Sequence, residues 1–146
     1  RTSVRTLSNA MDVGAPSNFE RLQTIFSHDT DAMRAMIWGE VVTDDETLET
    51  IRYFRDREGV YLDPHTAAGV RGAQRFLERR YPSVGKVITL GTAHPAKFGE
   101  VVEQATGARP EIPERLSRAL DREKQATPIE NTPEKLKEYL LDSFAG

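Results

Sequence analysis

The sequence predicts an α/β fold in which helices flank part of a mainly parallel sheet. Short runs of apolar and β-branched residues alternate with stretches whose apolar positions recur at helical spacing, which is the pattern of strand–helix units. Val87-Ile88-Thr89-Leu90 is continuously apolar or β-branched, as expected of a strand buried on both faces. The 146 residues amount to one domain. Only three strands are clear, where a complete doubly wound sheet usually shows about five or six, so the sequence reads as part of a larger sheet.

In order along the chain, residues 1–18 carry Ser, Thr, Asn, Gly and Pro and end in Gly14-Ala15-Pro16-Ser17-Asn18, which is loop chemistry. Ser17 or Asn18 can cap a helix bearing Phe19, Leu22, Ile25 and Phe26, and a short helix around Asp31 to Met36 follows. Gly39-Glu40-Val41-Val42 reads as a strand. Thr43 and Glu46 then form a capping-box pattern, opening a helix through Leu48, Ile51 and Phe54 that stops at Gly59. Val60-Tyr61-Leu62 is the second strand, and Asp63 or Thr66 caps the next helix. That helix carries Ala67, Val70, Ala73 and Leu77, and ends at Tyr81-Pro82. After the third strand, Val87 to Leu90, a helix with Phe98, Val101, Val102 and Ala105 runs to Gly107. Residues 108–127 are charged, proline-punctuated and weakly helical. Thr132-Pro133 starts a terminal helix, within 128–146, striped by Leu136, Tyr139, Leu140 and Phe144.

Composition narrows the function classes. Apolar residues make up 38% and charged residues 29%, with 20 Lys plus Arg against 23 Asp plus Glu, a formal charge of -3. That balance excludes a disordered chain and gives no reason to expect a nucleic-acid partner. No apolar run approaches a membrane span of roughly 18 residues, so no membrane partner is expected. Without cysteine there are no thiolate metal sites, disulfides or thiol nucleophiles, and a reducing, cytoplasmic setting fits. The first residues, Arg1 to Ser8, lack signal-peptide features, and a start at Arg1 suggests a removed leader or a piece of a longer protein.

Ligands of open α/β sheets bind at the carboxyl ends of strands. Two such ends stand out, Asp63-Pro64-His65-Thr66 and Gly91-Thr92-Ala93-His94-Pro95, each with a hydroxyl, a histidine and a proline. The same residues also suit plain helix caps and first-turn prolines, and both readings stay open. His28, His65 and His94 are too scattered for a metal site, and none is expected. No Walker loop, dinucleotide fingerprint or nucleophile elbow is present.

Thr6-Leu7-Ser8-Asn9-Ala10-Met11-Asp12-Val13-Gly14-Ala15-Pro16-Ser17-Asn18-Phe19-Glu20-Arg21 resembles a signature stretch of the threonine synthase family. Asp63-Pro64-His65-Thr66-Ala67-Ala68-Gly69 and Thr92-Ala93-His94-Pro95-Ala96-Lys97-Phe98 resemble two later segments, in the same order. The resemblance runs from about residue 4 to residue 106, more loosely to the terminal helix, and is to the family's C-terminal portion. It implies a fold-type-II pyridoxal 5'-phosphate enzyme that converts O-phospho-L-homoserine and water to L-threonine and phosphate. The family's Schiff-base lysine and glycine-rich phosphate loop belong to the N-terminal part, the partner this chain would need. No catalytic residue is therefore expected here, and the chain alone is expected to be inactive. Lys97 sits in the family's Ala-Lys-Phe position, which is separate from the catalytic lysine.

By the same resemblance Thr92 faces the cofactor's pyridine nitrogen, although it also suits a helix cap. Asn9, Asp12, Ser17, Asn18 and His65 are candidates to line the substrate site, with residues 1–18 as a loop segment near it. Two alternatives remain: a self-standing α/β ligand-binding or interaction domain without catalysis, and a small complete enzyme acting through His65 and His94.

Overall fold

Local capping chemistry accounts for most helix boundaries in the computed structural model, which describes residues 2–9, 12–79 and 85–144. Helix α1 spans Phe19–Ile25 and α2 spans Thr30–Met36. Asp29 caps α2, its Oδ1 accepting from the backbone N–H groups of Asp31 (2.9 Å) and Ala32 (3.0 Å). Between the two, Ser27 and His28 turn the chain with positive φ angles of 51° and 60°. Asn18 precedes α1 without a side-chain cap bond.

Helix α3, Asp44–Glu58, opens with the expected capping box: the Glu46 N–H donates to Thr43 Oγ1 (3.3 Å), and the Thr43 N–H donates to Glu46 Oε2 (2.9 Å). It closes on Gly59 at φ 69°, in the left-handed region that favours glycine. Helix α4 is Pro64–Arg79; the expected end at Tyr81-Pro82 lies outside the described residues. A 3-10 turn, Pro95–Phe98, leads into α5, Gly99–Thr106, which stops at Gly107 with φ 74°.

Helix α3 packs on both α4 and α5. Their junction holds the fully buried Ile51, Ala67 and Val102 with Ala105, and Leu48, Tyr61, Leu62 and Val101 lie against them. Arg75 of α4 locks the α3 side: it pairs with Glu46, lies 3.6 Å from Glu40, and donates to the Val41 carbonyl at 2.7 Å.

The chain divides into two compact units, Arg1–Ile112 and Pro113–Gly146. The second has α6, Glu114–Leu120, and α7, Pro133–Phe144. Thr132 opens α7, its Oγ1 accepting from the Lys135 N–H at 3.3 Å, and the Tyr139 and Phe144 rings meet edge to face.

The expected sheet is absent: the described residues contain helices and no β-strand. Each of the three strand-like runs, 39–42, 60–62 and 87–90, lacks a neighbouring strand. A β-ladder needs two adjacent backbones to exchange N–H and C=O groups. At Val41 those groups go to side chains instead, the N–H to Glu40 and the carbonyl to Arg75. Burial of Val87 to Leu90 on both faces also fails, because Ile88 is 87% and Leu90 78% exposed. Their apolar character is real, but only Val87 and Thr89 are partly covered, on the side of α4, among the described residues.

Candidate functional site

The first turn of α4 brings the Asp63-Pro64-His65-Thr66 motif to a point. Asp63 is its cap: Oδ1 accepts from the backbone N–H groups of His65 (3.0 Å) and Thr66 (3.4 Å). Pro64 follows in the first helical position, where its missing N–H costs nothing. The Asp63 carboxylate is 1% exposed yet fully engaged, since its Oδ2 accepts from the Thr66 hydroxyl and His65 Nδ1 lies 3.2 Å from Oδ1. Burying a carboxylate is tolerated when its lone pairs are met in this way. Thr66, the other cap candidate, thus serves the cap rather than being one. The His65 ring stands edge-on to Phe98, with centroids 5.0 Å apart.

The second motif lies against the first. A Cβ placed on Gly91 would sit 3.7 Å from Thr66 Oγ1, and one on Gly69 of α4 would sit 3.1 Å from Thr89 Cγ2, so residues 89–91 run close along the start of α4. Thr92 is exposed, and its hydroxyl has no hydrogen-bond partner among the described residues. Capping of the 3-10 turn falls to His94, whose Nδ1 accepts from the Ala96 N–H at 3.2 Å. Capping therefore does not occupy Thr92. Lys97 is exposed within that turn.

The N-terminal segment docks on the same helix ends. The Leu7 N–H donates to Asp44 Oδ1 at 3.0 Å and Ser8 Oγ donates to the Pro64 carbonyl at 3.2 Å. Asn9 and Asp12 engage each other, Nδ2 to Oδ2 at 3.4 Å, and Asp12 Oδ1 also accepts from the Thr6 N–H. Ala10 and Met11 of this signature lie outside the described residues. Asn9 lines a cleft of about 510 Å³ together with Arg5, Lys97, Phe98, Glu100 and Arg109. A larger apolar cleft of about 710 Å³ is lined by Trp38, Phe76 and Val87, with Ala68 and Gly69 of α4. Ser17 and Asn18 are exposed at the entry to α1 and line neither cleft.

Of the candidates, then, His65 and Thr92 belong to segments in mutual contact, and Asn9 shares a cleft with Phe98, the ring against His65. Asp12 supports Asn9, whereas Ser17 and Asn18 stand apart. Two participants are not singled out as site residues by sequence reasoning. Phe98 reads as one more apolar helix position. Asp63 reads only as a cap, although a carboxylate two residues before a histidine was a usable signal.

Comparison with known proteins agrees with these motifs. A family model described as threonine synthase, C-terminal, matches residues 66–140. Threonine synthase of Pseudomonas aeruginosa is 36% identical over 92% of this chain and 34% of that protein. Among solved structures, a PLP-bound threonine synthase from Brucella melitensis matches 96% of this chain and 34% of its own, with a TM-score of 0.63 and 29% identity. Threonine synthase from Escherichia coli matches 97% and 32%, with a TM-score of 0.69 and 28% identity. The chain spans about a third of the length of the curated relatives it matches.

Proposed function

The chain belongs to the threonine synthase family, and from that premise we propose that it forms one wall of a pyridoxal 5'-phosphate site. The complete enzyme converts O-phospho-L-homoserine and water to L-threonine and phosphate. The remaining part of that enzyme, on the N-terminal side in the family pattern, supplies the lysine and the phosphate-binding loop. No described helix is long and apolar enough to cross a membrane, and the cysteine-free composition suits a cytoplasmic enzyme.

One observation carries the reading: the two motifs, separate in sequence, converge at the start of α4, with Gly91 beside Thr66 and Phe98 against His65. The donor set fits one edge of the cofactor. Thr92 offers a free, exposed hydroxyl that can donate to a pyridine nitrogen, while neither a phosphate-cradling glycine loop nor a suitable lysine is part of this sequence. When bound, the cofactor's ring withdraws electrons from the substrate's α-carbon. Toward it, Thr92 acts as a neutral donor: unlike a carboxylate, it does not hold the ring nitrogen protonated. Asn9 and His65 face the substrate, with the 1–18 segment as the adjoining loop. Asp12, Ser17 and Asn18 complete that segment's polar candidates. The exposed apolar run Val87, Ile88 and Leu90 is surface available to the rest of the enzyme. The self-standing domain is disfavoured by the match of nearly the whole chain to a larger enzyme.

The test is phosphate release from O-phospho-L-homoserine by the full-length protein with Thr92 intact, as Thr92→Ser and as Thr92→Ala. The serine variant is expected to keep turnover within about threefold, and the alanine variant to lose tenfold or more, about the size of one hydrogen bond to a charged or developing charge. Equal activity of all three removes Thr92 from the site. Stoichiometric borohydride trapping of the cofactor on Lys97 of the present chain would overturn the whole reading.

A further inference from the structure

We infer that Asp63 is a positioning residue that holds His65 in its Nδ1–H tautomer, so that Nε2 is presented to the ligand as a hydrogen-bond acceptor. The inference rests on the functional reading above and deepens it by assigning a chemical role to the start of α4. Asp63 is buried to 1% exposure, and each of its carboxylate oxygens is fixed: Oδ2 by the Thr66 hydroxyl, Oδ1 by the backbone N–H groups of His65 and Thr66. A carboxylate so held can only accept, so the nitrogen 3.2 Å from it, His65 Nδ1, must carry a proton. The ring cannot easily turn away, because Phe98 stands edge-on to it at 5.0 Å.

The other nitrogen, Nε2, has no partner among the described residues, and the side chain is 29% exposed. In the neutral ring Nε2 is a lone-pair acceptor. It therefore suits a ligand group that donates, such as an ammonium, a hydroxyl or a water molecule, and disfavours direct contact with a phosphate oxygen. His94 supplies the opposite arrangement within the same chain. Its Nδ1 accepts from the Ala96 N–H, which puts its proton on Nε2. Two histidines at two matched motifs are thus set in opposite tautomers by their own local partners.

The tautomers can be read directly from imidazole nitrogen-15 shifts and their couplings to the ring carbon protons, recorded on the full-length protein at a pH where both rings are neutral. The expected result is Nδ1–H for His65 and Nε2–H for His94. An Nε2–H ring at His65 overturns the proposal, whatever the enzyme's activity. Asp63→Asn keeps a good helix cap with an amide oxygen still at the Oδ1 position, but removes the negative charge that favours a proton on Nδ1. It is expected to raise the Nε2–H fraction at His65 and, in the full-length enzyme, to lower kcat/KM by about 10–100-fold, as when a carboxylate that orients a histidine is lost. In a His65→Gln background the same substitution is expected to cost nothing further, since Asp63 acts through the ring. Additive losses would make Asp63 merely structural and overturn the proposal. Failure of the functional reading shows differently, as absence of phosphate release from the wild-type enzyme.

Discussion

Replacing Ile51 by alanine tests whether three helices are held by the few side chains at their junction. Ile51 is 0% exposed and lies where α3 meets α4 and α5, with Ala67, Val102 and Ala105 as its buried neighbours. Among these only Ile51 and Val102 are large, so the side chain has few substitutes that could move in to fill its space. The substitution removes three carbon groups, about 2.4 kcal/mol at roughly 0.8 kcal/mol each. The residual cavity adds to this, giving a loss of about 3 kcal/mol within the usual 2–5 for such changes. With a urea slope of about 1.5 kcal/mol per molar, the midpoint moves down by about 2 M. The single tryptophan, Trp38, stacks at 5.2 Å on Phe76 of α4 and reports unfolding of this unit by its emission. Ile51→Val, which leaves a smaller void, is expected to cost about 1 kcal/mol. A shift below about 0.5 M for the alanine variant, or equal midpoints for the two variants, would refute the assignment of this junction as the core. The site depends on the result, because α4 begins at the Asp63 cap and α5 follows directly from Phe98.

Two further perturbations test elements around that junction. Glu46 is held below its ordinary carboxylate range, first by the Thr43 backbone N–H, against a smaller opposing effect of desolvation, and then by the Thr43 hydroxyl and the Arg75 and Arg71 charges. A lowered folded-state value means that the stabilisation is present above the unfolded value of about 4.3 and is lost as pH falls through the folded one. Urea midpoints measured from pH 7 downward should therefore show Glu46→Gln less stable at neutral pH, with the gap closing in acid; a constant gap would contradict this. Gly69→Ala brings helix propensity worth about 0.5–1 kcal/mol, but the new Cβ meets Thr89 Cγ2 at 3.1 Å. Thermal melts should show the full gain only when Thr89→Ser removes that methyl group, and an identical effect in both backgrounds would place residue 89 away from α4.

Helix ends were legible because their determinants lie within a few residues of one another. The Thr43–Glu46 box, the glycines at 59 and 107, and Thr132-Pro133 before α7 act through bonds of one turn, and each forms as its local sequence predicts. The family motifs were legible for a different reason, since they are strings of residues that need no geometry to be read. A sheet was not decidable in this way. Val87-Ile88-Thr89-Leu90 has strand chemistry, yet a strand exists only when a second backbone takes up its N–H and C=O groups, and here the run has no partner strand among the described residues and leaves Ile88 and Leu90 exposed. Roles within the site likewise awaited tertiary structure. Whether Thr92 or His94 caps the 3-10 turn, and whether the Asp63 carboxylate meets the His65 ring, turn on distances of a few ångströms that identical letters could satisfy either way. The sequence by itself determined the Thr43–Glu46 capping box, the glycine stops at 59 and 107 and which family the chain belongs to. Only the tertiary structure decided which polar groups were already spent on holding the backbone and which were left without a partner among the described residues, because hydrogen-bond partners are allotted by position in space.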